Sequence, residues 1–585
     1  VIYKQFSVAM AISIIFSGFL ALSLTPALCA TLLKPTHTIQ AKKGFLGLFN
    51  IFFKNTTERY EKMLASWLTR STRVMLIYVL LVVVMIWSFL RMPTGFLPEE
   101  DQGYLLANIE LPTNASASRT LEVVQEVEKY FQNDPNVQNI ISIQGVSFSG
   151  QGLNSAMLFV TLKDFSLRKS VSQSAQTIAS TAMGTLMSTI PDAIVLAIVP
   201  PAIPGLGTSN GFDFRLQDKA SLGYTALMDA GTELIAATLT DPALSQVYLS
   251  VIGIGPQLSL KIDRVKAAAL NVDFFDAASI ISTAIGSEYA GKFPNMGRMQ
   301  NIWIQADSVF RMKVEDILKL NTRNSTGEMV PLSSFVTTSW SNGPTQVARF
   351  NSYTSLSISG QAAQGRSSGQ AIAAMETLAK KLPNGFGYEW AGVSYQEKLA
   401  GSQSTILLLM AMLTVFLILS ALYESWAIPI SVIMIVPLGR LGAVALVSLI
   451  GLNNDVYFTV GMVTVIGLSA KNAILIIEFA KENYDKGMSL VQAVSHAAGQ
   501  RFRPILMTSF ALVLGVIPLT LASGAGAASQ KAVGFGVLGG MLAATPFAVF
   551  FVPVFFLVVL KLFKVAPQLK RNTNTEIPAS VKGQS

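Results

Sequence analysis

The sequence predicts an α-helical membrane bundle that carries a large α/β domain outside the bilayer. Three observations lead to this fold class. The 585 residues are 51% hydrophobic and only 13% charged, and the mean hydropathy is +0.48, which is typical of a membrane protein. Apolar segments of membrane-spanning length occur in two groups. About 310 residues of mixed composition and α/β patterning separate the two groups.

Seven apolar segments are each long enough to cross a bilayer, because about 20 residues of helix span the hydrocarbon core. Two precede the mixed-composition block and five follow it. The longest are expected to tilt within the membrane. The segments are Phe6–Leu33, Val74–Met92, Thr405–Tyr423, Ala427–Ile450, Val456–Ala480, Ile505–Ala522 and Ala532–Leu560.

Basic residues assign the sides of the membrane. The segment Lys34–Arg73 carries eight Lys and Arg residues against two Glu residues, which predicts a cytoplasmic location. The block Pro93–Gln403 then lies on the opposite side, while the basic loop Lys481–Arg503 and the C-terminal tail lie in the cytoplasm. Within the first loop, Phe45–Leu68 is amphipathic and is predicted to lie on the membrane surface, with packing on protein as the alternative.

This topology has a consequence for the start of the sequence. The first span must enter from outside, which requires an odd number of earlier spans. The sequence begins at Val1 and runs into an apolar segment that lacks the cleavage pattern of a signal peptide. We therefore expect this sequence to be the C-terminal part of a longer protein.

The block between the two groups of spans has the pattern β-α-β-β-α-β, the split βαβ or ferredoxin-like order. A second copy follows, interrupted by an insert at about Ile252–Pro344, which indicates internal duplication. The first copy comprises strands Gly103–Leu111, Val137–Gln144, Ala156–Leu162 and Ala193–Val199 with helices Ala117–Phe131 and Ser170–Ile190. The second comprises strands Gly211–Gln217, Ser245–Val251, Ser355–Ala362 and Gly387–Ala391 with helices Leu222–Leu239 and Ser368–Leu382.

Lys471 is the strongest functional candidate, because it lies inside the apolar stretch Val460–Ala480. A lysine at the centre of a membrane helix costs roughly 2.5–3.5 kcal/mol, so it requires a partner or a task. Glu478 lies on the same helix face, but two turns separate the two residues, about 10 Å of helix. The lysine is therefore predicted to be half of a charge pair whose acidic half lies outside this sequence. The alternative is that its ammonium reaches the headgroups.

Arg440 is a second basic residue inside a membrane segment, Ala427–Ile450. A guanidinium at that depth is as costly as an ammonium. It either faces the interior of the bundle or reaches a lipid headgroup, and the sequence leaves both possibilities open. In the last segment, Gly534, Gly536 and Gly540 have the small-residue spacing of closely packed helices.

Several function classes are disfavoured. Much of the net charge of +9 lies in segments that flank the membrane, which argues against nucleic-acid binding. The single cysteine, Cys29, excludes an intrachain disulfide, and two distant histidines argue against a His-rich metal site. The glycine-rich string Gln144–Gly152 is not a phosphate loop, because no Gly-Lys-Ser/Thr follows, and by itself it predicts a flexible hairpin connection. No nucleophile–base pair emerges, so neither an enzyme nor a cofactor is predicted.

Ordered sequence strings connect the chain to a known family. The chain resembles the C-terminal half of the resistance–nodulation–cell division (RND) multidrug efflux pumps of Gram-negative bacteria, of the AcrB/MexB type. The similarity covers essentially the whole chain apart from the polar tail after Lys564. The matching strings are LTPALCATLLKP (Leu24–Pro35), GFLPEEDQG (Gly95–Gly103), ALYESW (Ala421–Trp426), NDVYF (Asn454–Phe458), GLSAKNAILIIEFAK (Gly467–Lys481), RPILMTS (Arg503–Ser509) and FFVPVFF (Phe550–Phe556).

The resemblance implies a proton relay. In the family, two adjacent aspartates on the fourth transmembrane helix of the N-terminal half exchange protons against a lysine, and Lys471 matches that lysine. Thr508 matches a relay threonine on the next helix, and Arg501 matches an arginine at the cytoplasmic entrance to it. Asn472 is a weaker candidate. Arg440 lies where the resemblance implies an apolar residue.

The resemblance also implies two drug pockets and a switch loop between them. Ile141 and Val146 lie where the family is expected to have phenylalanine, and Leu196 and Ile198 also replace aromatic residues, which favours aliphatic contacts. The deep pocket maps to Ile141, Ile143, Val146, Phe148, Met157 and Phe159, the switch loop to Gly145, Ser147, Ser149, Gly150 and Gly152, and the outer pocket to Leu106, Asn108, Leu196, Ile198, Gly205 and Tyr248. From the residues alone, these strand positions would be ordinary core.

The implied function is drug/proton antiport across the bacterial inner membrane. The implied assembly is a homotrimer, joined to a periplasmic adaptor (membrane fusion) protein and an outer-membrane channel protein, that moves small amphiphilic drugs against protons and binds no nucleic acid. The alternatives are an RND-type exporter of lipids or metal ions, or a membrane assembly or sensor protein without transport. The implied divisions are 1–33, 74–92 and 401–562 in the membrane, 34–73 and 563–585 in the cytoplasm, 93–203 and 204–251 with 345–400 as periplasmic porter subdomains, and 252–344 as a channel-docking subdomain.

Overall fold

A computed structural model describes residues 2–32, 45–148, 150–203, 205–207, 211–250, 253–363 and 365–564. The predictions for residues 33–44, Ser149, Val251, Ile252 and the tail at 565–585 lie outside the described residues. The described chain begins with helices α1 Ile2–Leu22, α2 Leu24–Leu32, α3 Phe45–Thr69 and α4 Ser71–Arg91. The first predicted span is divided into α1 and α2 at Ser23, where Pro26 in the following turn has no N–H to continue the hydrogen bonds of α1.

The first α/β unit has the predicted order of elements. Its elements are β1 Tyr104–Glu110, α5 Ala117–Gln132, β2 Val137–Ser147, β3 Gly150–Leu162, α6 Ala175–Thr189 and β4 Ile194–Ile198. The strands form an antiparallel sheet in the order β2-β3-β1-β4. Ser116 and Ser174 cap the two helices, and each hydroxyl accepts a backbone N–H of the first turn.

The second α/β unit repeats this order around an insert. It begins with β5 Phe212–Asp218, α7 Tyr224–Thr238 and β6 Leu244–Leu249. The insert comprises β7 Ile254–Ile262, α8 Arg264–Ala269, α9 Phe274–Ile281, β8 Glu288–Asn295, β9 Arg298–Ile304, α10 Val314–Leu318, β10 Asn321–Arg323, β11 Met329–Pro331 and β12 Val336–Pro344. The unit closes with β13 Arg349–Phe350, β14 Tyr353–Ala362, α11 Ser368–Ala379 and β15 Phe386–Ala391. β5 lies between β14 and β15, and β14 also pairs with β6 and β13.

The chain then returns to the membrane block. The helices are α12 Gly392–Tyr423, α13 Ala427–Ile433, α14 Val436–Ile450, α15 Val456–Asp485, α16 Leu490–Thr520 and α17 Ala527–Leu562. Among the described residues, seven helical stretches are long and apolar enough to cross a membrane, as predicted. The fourth of these is divided into α13 and α14, and Pro437 lies in the first turn of α14.

Two helices in this block extend beyond the apolar segments that predict them. The helix α12 follows β15 directly at Gly392, whereas the membrane block was predicted to start at residue 401. The helix α16 begins at Leu490, so residues 490–503 of the predicted loop Lys481–Arg503 are helical. Both extensions are more polar than a membrane segment, and hydropathy alone therefore does not detect them. In α16, Ala493, Val494 and Ala497 are fully buried, and this packing stabilises the extension.

The helix α17 is the centre of the membrane block. It packs against α14, α15 and α16, and its buried residues include Phe555 and Phe556. The predicted close packing at its glycines is observed, because a Cβ on Gly536 would lie 3.1 Å from Phe458. The helix α3 packs on α16 and α17 through Tyr60, whose hydroxyl donates to the Val549 carbonyl at 2.8 Å. One face of this amphipathic helix thus contacts protein, which is the alternative that the sequence left open.

The connecting segment, residues 93–103, joins α4 to β1 and is tied to the membrane block. The Asn454 N–H donates to the Pro93 carbonyl at 2.8 Å, and the Gly95 N–H donates to the Asn454 carbonyl at 3.1 Å. The Val456 N–H donates to the Phe96 carbonyl at 3.2 Å. The connecting segment is therefore attached by backbone hydrogen bonds to the start of α15, the helix that carries Lys471.

Candidate functional site

Lys471 lies near the middle of α15, on a side of the helix that the rest of the described chain does not cover. Its neighbours Ala470, Asn472 and Ala473 are buried, whereas Lys471 is exposed. Among the described residues, no carboxylate lies within 4.0 Å of its ammonium. Glu478 instead accepts a hydrogen bond from the Tyr423 hydroxyl at 3.4 Å. The ammonium therefore points to a surface where an acceptor from outside the described chain would be needed.

Buried polar side chains connect α15 with α16 beside the lysine. The Asn472 Nδ2 donates to the Ser509 Oγ at 3.4 Å, and both residues are buried. The hydroxyl of Ser469 is buried and has no hydrogen-bond partner among the described residues. Sequence reasoning missed both serines. Ser509 follows Thr508 in the quoted string RPILMTS, but only the packing of two helices reveals its contact with Asn472.

The other two predicted relay residues lie on α16. The Thr508 hydroxyl donates to the Ile505 carbonyl of its own helix at 3.0 Å, the usual local arrangement for a threonine in a helix. Arg501 stacks on α15, with its Cζ 3.5 Å from the ring centroid of Phe479. Its Nε is buried without an acceptor among the described residues. The structure thus brings Asn472 and Arg501 into contacts between α15 and α16, whereas Thr508 bonds within its own helix and Lys471 faces away from the described chain.

Most of the predicted pocket residues lie on the strands of the first sheet. One cross-strand row is formed by Ile141, Phe159, Leu106 and Ile198, and the adjacent row is formed by Ile143, Met157, Asn108 and Leu196. These positions share one face of the sheet, because side chains alternate along a strand. The opposite face, which includes Leu105, Ala107 and Val160, is buried under α5 and α6. On this helix-free face, Leu106, Asn108, Met157, Leu196 and Ile198 are buried. Ile141 and Ile143 are exposed and Phe159 is half-buried, so the face is open to a ligand only along β2 and the neighbouring part of β3.

The predicted switch loop is the tip of the β2–β3 hairpin. Gly145 and Gly150 have φ values of +86° and +140°, conformations that favour glycine. The backbone N–H of Phe148 donates to the Oδ1 of buried Asn108 at 3.1 Å, which fixes the tip to β1. Val146 lies at the irregular register of this tip. The switch-loop residues Ser147 and Gly152 belong to the strands themselves.

A small cavity of about 150 Å³ lies where the two sheets meet. Leu196 and Ile198 of the first sheet and Tyr248 of the second line it, together with Met183 and Met187. Burial raises the pKa of the Tyr248 hydroxyl. The outer-pocket candidate Gly205 does not line this cavity; it lies in the link between β4 and β5 and has a φ of +89°. Three of the six predicted outer-pocket residues therefore share one cavity.

Two acidic residues of the connecting segment, which sequence reasoning missed, link the membrane block to the first α/β unit. Glu100 is 3% exposed and accepts the Ala528 and Ser529 N–H groups at 3.2 and 2.7 Å, at the start of α17. Asp101 accepts from Arg168 at 3.0 Å and from the Ala175 N–H at 2.8 Å. Burial raises the pKa of Asp101, but the hydrogen bonds from Arg168 and the backbone outweigh this and hold it below its usual value. The acidic run PEED was the available signal.

Comparisons with known proteins agree over nearly the whole chain. The sequence model of the AcrB/AcrD/AcrF family matches residues 1–560. The multidrug export protein AcrF of Escherichia coli (strain K12) is 46% identical over 569 residues, which cover 96% of this chain and 55% of that protein. The toluene efflux pump membrane transporter TtgB of Pseudomonas putida is 44% identical over 597 residues, which cover 100% of this chain and 56% of that protein.

A third relative, the multidrug resistance protein MdtF of Escherichia coli (strain K12), is 44% identical over 567 residues, which cover 96% of this chain and 55% of that protein. The names of all three relatives concern drug resistance or the efflux of small molecules. The chain spans about half the length of the curated relatives it matches.

Proposed function

The chain belongs to the AcrB/AcrD/AcrF family, and we propose that the full-length protein exports drugs and other amphiphiles across the inner membrane of a Gram-negative bacterium in exchange for protons. The printed names of the relatives support the export of small molecules. The observation that carries proton coupling is Lys471, a membrane lysine without an acidic partner among the described residues.

We propose that the acceptor of Lys471 is a pair of carboxylates on the N-terminal half of the protein. Two carboxylates near one ammonium titrate as a coupled unit, because each charge changes the proton affinity of the others. Protonation of the carboxylates would release the ammonium to change partners, which would favour a different packing of the helices. A proton that enters down a potential of 100 mV supplies about 2.3 kcal/mol for this change.

The neighbouring polar residues would transmit this change to α16. Asn472 already contacts Ser509, so a shift of Lys471 along or around α15 would alter that hydrogen bond. Thr508 lies next to Ser509, and its hydroxyl would exchange its local acceptor for one nearer the lysine. Arg501, stacked on Phe479, would attract anionic groups at the cytoplasmic end.

The two α/β units would be the periplasmic porter subdomains that hold the drug. The row Ile141–Phe159–Leu106–Ile198 and its neighbour supply an apolar wall, which suits amphiphiles of varied shape. The hydrogen bond from the Phe148 N–H to Asn108 supports a position of the hairpin tip between the deep and outer pocket residues. A movement that breaks this bond would open or close the path between them. Aliphatic residues in place of aromatic ones would favour aliphatic substrates.

The insert from β7 to β12 would form the channel-docking subdomain. Its β8–β9 hairpin is exposed and carries large apolar side chains such as Met296, Met299 and Trp303, which favours burial against another subunit. We propose that the working unit is a homotrimer joined to a periplasmic adaptor and an outer-membrane channel. The seven membrane-length helices support a multi-pass location in the inner membrane.

Efflux from cells that lack their own exporters tests this function. Lys471→Met in the full-length protein should abolish the efflux of a fluorescent dye, because the side chain keeps its volume but loses its charge. The matched control is Lys486→Met, which removes an exposed lysine that pairs with Glu482 at 2.7 Å in the link after α15. This control should transport normally. Normal dye efflux by Lys471→Met at equal expression and trimer content would contradict the proposed proton coupling.

The same assay separates the proposal from its alternatives. An exporter of metal ions would leave dye retention unchanged while lowering cellular metal content. A non-transporting assembly protein would change neither quantity when it is expressed.

A further inference from the structure

Arg440 lies on α14 inside the membrane block, and the described residues leave its guanidinium without an acceptor. Its Cζ lies 4.8 Å from the ring centroid of Phe89 on α4, which is a cation–π contact. Its Nε is buried and has no hydrogen-bond partner in the described part of the chain. None of the carboxylates described lies within 4.0 Å of its nitrogens. An arginine carries five N–H donors and does not lose its charge, so this side chain needs an anion.

Arg440 borders a cavity of about 530 Å³ that lies between α4, α12, α14 and the start of α15. Most of the wall is apolar and comprises Met85, Ile86, Phe89, Leu90, Leu408, Leu409, Met412 and Met462. Ile86, Leu90 and Leu409 also belong to the outer surface of their helices, with exposures of 49%, 78% and 62%. Because these residues both line the cavity and face outward, the cavity is open to the acyl region of a surrounding bilayer.

The acidic groups of the cavity are already supplied with donors. Glu397 accepts the hydroxyl of Ser368 at 2.9 Å, and Asp455 accepts the N–H of Phe458 at 2.7 Å. Neither carboxylate forms an ion pair with Arg440. Among the described charged groups that line this cavity, the guanidinium is therefore the one left without a hydrogen-bond partner, and the partner it requires is an acceptor.

The guanidinium lies towards the end of the membrane block that carries the α/β units. Phe89 lies in the last turn of α4, which ends at Arg91, and Asp455 caps the start of α15 at the same end of the block. Arg440 itself lies ten residues before the end of α14 at Ile450, about 15 Å along the helix. The side chain thus extends from the middle of its helix towards the end that carries the α/β units, as long basic side chains in membranes do.

We propose that this cavity binds a phospholipid of the outer leaflet, with the phosphate on Arg440 and an acyl chain along the apolar wall. A guanidinium binds a phosphate through two parallel N–H donors, which would satisfy the group that the described residues leave unpaired. Phospholipid is the anion-bearing amphiphile present at the highest concentration around membrane helices. The site depends on the proposed function only for the orientation of the helices, and its test measures binding rather than efflux.

The test compares two lipids that differ only in their headgroup. Full-length protein, delipidated in a neutral maltoside detergent, is titrated with phosphatidylglycerol and with diacylglycerol of the same acyl chains, and bound lipid is counted by native mass spectrometry. The wild type should bind phosphatidylglycerol about tenfold more tightly, which corresponds to about 1.4 kcal/mol. Arg440→Leu should bind both lipids equally, and Arg440→Lys should keep part of the preference because it keeps the charge.

The matched control removes a guanidinium elsewhere. Arg503→Leu removes a side chain that stacks on Phe53 at 5.6 Å, away from the cavity, and should keep the full preference for phosphatidylglycerol. If Arg440→Leu does not fold, the comparison of the two lipids on the wild type and on Arg440→Lys still decides the question.

Equal binding of the two lipids by the wild type would overturn the proposal. A preference for dodecanoate over diacylglycerol without one for phosphatidylglycerol would also overturn it, and would assign the cavity to carboxylate amphiphiles. Neither result would bear on the proton coupling of Lys471, which the efflux assay tests separately.

Discussion

Glu100 and Asp101 of the connecting segment and Lys471 and Arg440 of the membrane block are all charged, but they differ in the partners that the described chain supplies. Glu100 accepts two backbone N–H groups and a hydroxyl, and Asp101 pairs with Arg168. Lys471 and Arg440, by contrast, have no acidic partner among the described residues.

This difference separates structural charges from functional ones. A charge whose partners all lie within the chain stabilises the fold, and removal of one partner leaves the other buried and unpaired. A charge without a partner among the described residues adds no ion pair to this half of the molecule, and we infer that a group outside it completes the pair. The connecting segment holds the membrane block and the first α/β unit together, whereas the roles proposed for Lys471 and Arg440 each require a group outside the described chain.

The largest loss of stability is expected from Asp101→Ala. The guanidinium of Arg168, whose side chain is 2% exposed, would lose its carboxylate, and breaking a buried ion pair in this way costs about 3 kcal/mol or more. Thermal unfolding of the purified protein should show a clearly lowered midpoint. The matched control is Asp192→Ala, which removes an exposed partner of Arg119 and should cost less than about 1 kcal/mol. Equal losses of stability in the two variants would show that the buried Asp101–Arg168 pair contributes no more than the exposed Asp192–Arg119 pair.

A smaller loss is expected from Glu100→Ala. Two N–H groups at the start of α17 and the Ser529 hydroxyl would lose their acceptor, and buried donors left unpaired cost about 1–3 kcal/mol. The neighbouring Glu99 is exposed, so Glu99→Ala is the control. Hydrogen exchange should accelerate in the first turn of α17 for Glu100→Ala alone. Unchanged exchange there would show that Glu100 does not hold this helix end.

The Asp101 ion pair also predicts a pH dependence. The folded-state pKa of Asp101 lies below its usual value, so its contribution to stability is fully present above the unfolded-state pKa of about 3.9. It is lost as the pH falls through the lower folded-state pKa. The difference in melting temperature between the wild type and Asp101→Asn should therefore be large at pH 7 and should shrink near pH 3. A difference that stays constant would mean that the carboxylate is not preferentially ionised in the folded state.

Lys471→Met should have little effect on stability in the same unfolding assay. The ammonium has no acidic partner in the described chain, so its removal leaves no described carboxylate unpaired, and the free energy of unfolding should change by less than about 0.5 kcal/mol. A loss as large as that of Asp101→Ala would show that the lysine is a structural partner within this half of the molecule.

The smallest expected effect is on ligand binding, at the sheet face that carries Ile141 and Phe159. Ile141→Phe would place a ring beside Phe159 in the same row, and an aromatic contact is worth about 0.5–1.5 kcal/mol beyond its area. The binding constant of a planar aromatic dye should improve roughly two- to tenfold, while that of an aliphatic amphiphile should not. Met187 lines the separate cavity of about 150 Å³, so Met187→Phe is the control. It adds an aromatic ring away from Phe159 and should not improve the binding constant of the aromatic dye.

The sequence predicts local elements well in this chain, because the patterns that define them are local. β1 was predicted as Gly103–Leu111 and is Tyr104–Glu110, and α5 was predicted as Ala117–Phe131 and is Ala117–Gln132. The start of α16 was missed because Leu490–Arg503 is amphipathic rather than apolar, so hydropathy gives no signal there.

Only part of the candidate functional site can be predicted from the sequence. Lys471 stands out because a lysine in a membrane segment is costly, and no tertiary information is needed to notice it. The pocket rows depend on the register between distant strands, such as the pairing of Leu106 with Ile198, which no local pattern contains. The contact of Asn472 with Ser509 depends in the same way on the packing of two helices.

Drug-driven proton movement in proteoliposomes tests the central claim most directly. Wild-type protein and Lys471→Met would be reconstituted with a pH-sensitive dye inside the vesicles, and a drug gradient would be applied. The account predicts that both proteins bind the drug with the same Kd but that only the wild type moves protons. Drug-driven proton movement by Lys471→Met at the wild-type rate would contradict it.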